Sequence, residues 1–102
     1  MDQMIRSFFL GFIKIHILYH SVERSIYGLW VIDELKRHGY TISPGTLYPI
    51  LHSLESEGLL VSKQEVVEGK IRKYYRTTAK GKKALQQAKA KVRELLDEIA
   101  ED

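Results

Sequence analysis

The chain contains no cysteine, two prolines and one tryptophan among 102 residues. Without thiols it has no disulfide framework, no thiolate zinc site and no cysteine nucleophile, and it suits a reducing cytoplasm. Long hydrophobic runs are missing too. The most apolar stretch, Phe8-Phe9-Leu10-Gly11-Phe12-Ile13, ends at Lys14. A spanning helix needs about 20 apolar residues, and no small-residue cleavage site follows as it would in a secretory leader. No glycine-rich phosphate loop or nucleophile elbow occurs. Asp33 and Glu34 are adjacent and point to different faces of a helix, so they make no acid–base pair. A cytoplasmic, non-enzymatic protein is expected, with no cofactor, no metal and no membrane contact.

What is present fits one small domain spanning residues 1–102, with 44% hydrophobic and 28% charged residues. A domain of this size buries only about 60–70% of its unfolded surface, so a partner chain would help it. The net charge of +3 conceals a strong asymmetry. Residues 63–93 hold eleven Lys and Arg against Glu65 and Glu68, whereas residues 94–102 hold five acids and no base. A basic block that dense is either a solvated face or a footprint for a polyanion.

The periodicities predict a helix over residues 3–20 that is apolar nearly all round. Met4, Phe8, Phe12, Ile15 and Leu18 form one stripe; Ile5, Phe9, Ile13 and Ile17 form another. Two apolar faces need two covers, one from the domain and one from a second chain. Residues 21–24 read as a connector, and Ser25 as the N-cap of a second helix over 25–38 with Gly28, Val31 or Ile32, and Leu35 inside. His38-Gly39 is its stop. Tyr40-Thr41-Ile42 is a brief extended piece. Ser43 at N-cap and Pro44 at the first position open a third helix. Its buried face is Leu47, Ile50, Leu51 and Leu54, and Gly58 ends it. Residues 59–67 and 70–77 read as strands around a Glu68-Gly69 turn. Thr78 caps a last helix running to about residue 100. The fold class is therefore mainly α with a small β-hairpin: an N-terminal helix (1–20), a winged helix-turn-helix core (21–77) and a C-terminal dimerisation helix (78–102).

In that layout the third helix reads double-stranded DNA. With its leucines inside, it turns Ser43, Gly45, Thr46, Tyr48, Pro49 and His52 outward. These are small or hydrogen-bonding groups of the kind that major-groove readout uses. Pro49 lies inside the helix, where it removes a backbone hydrogen bond at a cost of ~3 kcal/mol; a functional surface or a local bend would account for it. On the second strand Lys70, Arg72, Lys73 and Arg76 surround Tyr74 and Tyr75. Alternation sends the two tyrosines to opposite faces, one to anchor the wing and one outward. The basic side chains suit phosphate or minor-groove contact, and charges on an edge strand also guard against aggregation.

Several motifs together resemble the PadR regulators: Tyr27-Gly28, Ser43-Pro44-Gly45-Thr46-Leu47-Tyr48-Pro49, the run Leu54 to Leu60, Arg72-Lys73-Tyr74-Tyr75-Arg76, and Thr78 with Gly81. The resemblance covers about residues 12–85. It implies a homodimeric repressor on an inverted-repeat operator, often released by a small-molecule effector. It further implies that the Ser43–Tyr48 region and the basic side chains of the wing touch DNA, with Tyr27 beside them. The single C-terminal helix matches the short subfamily, which lacks a separate ligand domain. Three places depart from the family pattern. Leu29-Trp30 replaces a Tyr-Glu pair common in relatives, Lys70-Ile71 stands where a proline often follows the wing glycine, and Thr77 replaces a leucine.

Dimerisation is expected through Phe8, Phe9 and Phe12 on the first helix and through Leu85, Ala88, Val92, Leu95, Leu96 and Ile99 on the last. The spacing from Leu85 to Ile99 makes a narrow heptad seam. Trp30 fits two roles: a ring on which a ligand stacks or, more commonly for a lone tryptophan, a core or interface anchor. His16 and His20 stand four apart but lack a third ligand at helical spacing, and read as a polar stripe. The alternative function is a winged-helix module that binds protein. Its recognition face should then be apolar or acidic, and this one is neither. An RNA binder would want more exposed stacking rings than Tyr48 and one wing tyrosine.

Overall fold

The computed structural model describes residues 2–100; position 1 and positions 101–102 of the expected domain lie outside the described residues. Four helices and a hairpin follow in order: α1 (Gln3–Glu23), α2 (Gly28–Arg37), α3 (Pro44–Ser56), β1 (Leu60–Val67), β2 (Lys70–Thr77) and α4 (Ala79–Ala100). This is the expected mainly helical winged-helix order, with two corrections at the α1–α2 junction.

First, α1 continues through residues 21–23, which had read as connector. Ser21 is buried, and its hydroxyl donates to the Ile17 carbonyl at 2.7 Å. It also shares a short hydrogen bond with the Thr77 hydroxyl, whose Oγ1 lies 2.8 Å from the Leu18 carbonyl. Thr77 thus ties the end of the wing to α1. Second, α2 begins at Gly28 with Tyr27 as its N-cap, and not at Ser25. Ile26 is drawn into a two-bond antiparallel bridge with Tyr75 (3.0 and 2.7 Å), and extended backbone there cannot belong to a helix. Residues 40–42, expected to be extended, form no strand, but Ile42 is buried.

The remaining boundaries follow from local chemistry. Ser43 Oγ accepts from the Thr46 amide at 3.3 Å and Pro44 occupies the first turn, so α3 starts as expected. Glu68 and Gly69 both have positive φ, the geometry of a two-residue type I′ hairpin turn whose twist matches that of the strands. It sets the register Val67↔Lys70 through Leu60↔Thr77. Thr78 Oγ1 accepts from the Gly81 amide at 3.0 Å and caps α4.

One core joins these elements. Ile13 and Ile17 of α1, Val31 and Leu35 of α2, and Leu47, Leu51 and Leu54 of α3 pack with Leu60 and Tyr75 of the hairpin. Tyr75 is only 1% exposed, and burial pushes its phenol above the usual tyrosine range. It is the anchoring tyrosine of the pair. Gly81 is buried where α4 crosses the hairpin base. A Cβ there would overlap the Leu59 carbonyl oxygen and approach Thr77 Cγ2 to 2.7 Å.

That close approach decides the sign of a substitution. Helix propensity alone favours alanine over glycine by about 1 kcal/mol. Overpacking against a backbone group costs about 1–3 kcal/mol. Gly81→Ala is expected to lower the denaturant midpoint despite its helical position, and a raised midpoint in urea melts would contradict the packing described.

Candidate nucleic-acid interface

The outward face of α3 is as its leucine spacing dictates. Ser43, Gly45, Tyr48, Pro49 and His52 are exposed and Thr46 is half-buried. The helix is continuous through Pro49. Ser43 Oγ donates to Thr46 Oγ1 at 3.3 Å, so the first turn carries two coupled hydroxyls. Tyr48, 38% exposed, lies against α2. A Cβ on Gly28 would sit 2.5 Å from the Tyr48 hydroxyl oxygen, so the glycine is what admits this ring. That contact was missed from the sequence, where Gly28 read only as part of a buried stripe.

The wing is braced from two sides. On one face Tyr74 meets Tyr27 edge-on at 5.4 Å, and the Arg72 guanidinium lies 4.1 Å above the Tyr27 ring. Tyr27 thus links the start of α2 to the hairpin. On the other face Lys73 pairs with Glu55 of α3 at 3.3 Å and lies 5.5 Å above the Tyr75 ring. Glu55 also accepts from the Ser62 hydroxyl and amide, at 2.5 and 3.1 Å. These bonds, the Ser62 hydroxyl foremost and then Lys73, hold its carboxyl below the usual range. Burial works against the Lys73 ammonium, but Glu55 outweighs it and raises the pKa. The sequence offered no sign of this buttress, because residues 55, 62 and 73 meet only when the hairpin folds onto α3.

The four expected wing cations are therefore not equivalent. Arg76 donates to the Val22 carbonyl at 2.9 Å, Lys73 is held by Glu55, and Arg72 stacks on Tyr27. Lys70 is exposed and enters no ion pair among the described residues.

The expected dimer residues also separate. Val92, Leu95, Leu96 and Ile99 are 46–60% exposed along the far half of α4, and Phe8 is 68% exposed. Phe9, Phe12, Leu85 and Ala88 are half-buried, and the Phe9 and Phe12 rings each lie 5.2 Å from that of Tyr40. A groove of about 660 Å³ lies between α1 and α4, with Phe12, Ile15, Tyr19, Leu85, Val92 and Leu96 on its walls.

His16 and His20 form more than a polar stripe. Their rings stack at 5.8 Å, and His38 at the end of α2 approaches His16 at 5.5 Å. Glu34 Oε2 lies 3.5 Å from Nε2 of both His20 and His38, and Glu34 also pairs with Arg37 at 2.9 Å. Trp30 closes the group, edge-on to His20 at 5.3 Å with Arg24 5.6 Å from its centre. Its ring thus anchors α2 on α1. Among the described residues no group of three or more His, Cys, Asp or Glu has metal-binding geometry. No helix of the described residues is long and apolar enough to cross a membrane.

Residues 17–87 match the transcriptional regulator PadR-like family. The chain is similar to the transcriptional regulator Rv3488 of Mycobacterium tuberculosis, 46% identical over 95 residues that cover 93% of this chain and 89% of that protein. Among solved structures it is similar to a PadR family transcriptional regulator from Eggerthella lenta, with TM-score 0.85 and 35% identity over 96% of this chain and 87% of that one. A PadR-like transcriptional regulator from Bacillus cereus superposes with TM-score 0.74 and 27% identity over 99% of both chains.

The histidine cluster is expected to make stability depend on pH. Burial foremost, then the charges of His20 and His38, holds the His16 pKa below its ordinary value. Burial foremost, with Arg24, His38 and Arg37 adding to it, outweighs Glu34 and lowers that of His20. A lowered histidine pKa favours the neutral form in the folded state. Its stabilisation is complete above the ordinary value of about 6.5 and is lost as pH falls through it. The melting temperature is expected to drop between about pH 7.5 and 5.5, and to drop less in His20→Gln. Equal slopes for the two proteins would show that the cluster does not titrate with unfolding.

Proposed function

The chain belongs to the PadR-like family of transcriptional regulators, and from that premise we propose that it is a homodimeric repressor that reads an inverted-repeat operator in double-stranded DNA. The observation that carries this reading is the joining of a polar, exposed α3 to a basic wing. The Glu55–Lys73 pair and the Tyr27–Arg72–Tyr74 stack brace the hairpin on α3 and α2. Such a rigid pair suits DNA, because a helix in the major groove and a wing beside it must keep one relative position to meet both at once.

In this reading Thr46, Tyr48 and His52 meet base edges, and Ser43 and Gly45 bring the start of α3 close to a phosphate. Lys70 and Arg72 neutralise phosphates beside them. Lys73 and Arg76 serve first to hold the wing, since each already has a protein partner. The far half of α4 and the exposed Phe8 end of α1 meet their copies across a two-fold axis. A helix of 22 residues is about 33 Å long at 1.5 Å per residue. It outruns the core, and its exposed leucines need cover from another chain. Two recognition helices would then address half-sites one DNA turn or a multiple of it apart. A small-molecule effector would act best in the α1–α4 groove, where a ligand and the partner subunit compete for the same apolar walls.

Two measurements test the reading. In gel retardation with DNA from upstream of the protein's own gene, Thr46→Ala is expected to lose about 1–3 kcal/mol of discrimination between operator and random DNA. Lys70→Ala should weaken both alike and reduce the salt slope by about 1. The opposite pattern would remove α3 as the reader. Val92→Glu should sediment as a monomer and lose operator binding, because an unpaired carboxylate in the seam is strongly unfavourable. A dimeric Val92→Glu protein with full affinity would refute the seam.

A further inference from the structure

Gly28 and Gly81 are both buried in the first turn of a helix, α2 and α4 respectively, and their surroundings differ in kind. At Gly81 an added Cβ would meet a backbone carbonyl, which cannot move without the base of the hairpin. At Gly28 the three nearest atoms all belong to one side chain: the hydroxyl oxygen, Cζ and Cε1 of Tyr48, at 2.5, 2.7 and 2.8 Å. The φ angle of Gly28 lies outside the left-handed region, so its backbone does not require glycine. The Tyr48 ring does.

Non-bonded carbon atoms rest about 3.5–4.0 Å apart, so with a Cβ at position 28 the ring edge must retreat by about 1 Å. The ring is the part that yields. The backbone of α3 is fixed by Leu47, Ile50, Leu51 and Leu54, all buried. The start of α2 is fixed by the Ile26–Tyr75 bridge and by the contact of Tyr27 with Tyr74. Tyr48, at 38% exposure, has room on its solvent side. Long side chains on a helix have two open χ1 wells, so a ring denied this pose tilts within its well or leaves for the other. Either movement costs the fold little. Recognition is less tolerant, because binding groups must hold their place to within about 0.5 Å.

We propose that Gly28 is a positioning residue for operator recognition: it acts through Tyr48 alone, by holding the ring over the first turn of α2 where its hydroxyl meets a base edge. The inference rests on the DNA-binding reading of the preceding subsection. Phosphate contacts from α3 and the wing do not involve position 28, so binding to random DNA and the salt slope are independent of it.

The test is a double-mutant cycle of Gly28→Ala and Tyr48→Ala. Fluorescence anisotropy is measured on an operator fragment from upstream of the protein's own gene and on random DNA of equal length, and all four proteins are melted. Gly28→Ala is expected to melt as the wild type does, since alanine suits a helix and the ring can swing away. It should bind operator about tenfold more weakly, and random DNA equally with the same salt slope. Tyr48→Ala should show a similar loss. The double variant should bind operator no more weakly than Tyr48→Ala, because a Cβ at position 28 then meets no ring. Wild-type operator affinity in either single variant overturns the proposal while leaving DNA binding intact. Losses that add in the double variant overturn it too, since the glycine would then act on the packing of α2 against α3. So does a Gly28→Ala protein that melts well below the wild type, since the helices and not the ring would then give way. A wild type that does not prefer operator to random DNA overturns the DNA reading itself, and the proposal with it.

Discussion

The two-bond pairing of Ile26 with Tyr75 is the interaction on which the rest of the domain depends. It joins the α1–α2 junction to the outer edge of β2 and holds the Tyr75 ring in the centre of the core. A two-stranded hairpin alone is marginal in water, and this bridge gives it a third backbone neighbour. Because Ile26 is extended, α2 starts at Gly28 and Tyr27 comes to lie beside Tyr74. The same residue thus sets the angle of the wing and the start of the scaffold helix. The Ser21–Thr77 contact and the Arg76 bond to the Val22 carbonyl reinforce the same junction from the α1 side.

Charge on the wing divides into structural and available portions. Lys73 and Arg76 are committed to Glu55 and to a backbone carbonyl, and Arg72 is oriented by a ring face. A cation that already has a protein partner gains less from a phosphate than a free one, because forming the new contact breaks the old. Lys70 carries no such debt. The neighbours that each residue meets along the strand, and not the number of basic residues in it, decide which of them is free of a protein partner.

The two long helices meet at one edge of the domain and leave their outer surfaces uncovered. The inner stripe of α1, Ile13 and Ile17, closes the core, while Phe8 at its start and the far half of α4 do not. Between α1 and α2 the histidine cluster and Trp30 form the polar side of the same helix.

Much of this was legible in the sequence. The leucine spacing of α3, the Ser43-Pro44 start, the Glu68-Gly69 turn and the heptad run from Leu85 to Ile99 are local signals, because cap geometry, turn φ angles and helical periodicity depend on residues a few positions apart. The motif from Ser43 to Pro49 pointed to the family for the same reason. The start of α2 was misread, since Ser25 is a good N-cap in isolation and only the distant Tyr75 draws its neighbour into a bridge. The contact of Phe9 and Phe12 with the Tyr40 ring was not legible either, because no periodicity within α1 could reveal a ring from the loop after α2. The Glu55–Lys73 buttress, the Gly28–Tyr48 contact and the meeting of His16, His20, His38 and Glu34 were decided by the tertiary structure alone. Each joins side chains from separate elements, and the distance between such groups is set by how the elements pack, which hydrophobic burial determines for the whole domain at once and no local pattern encodes.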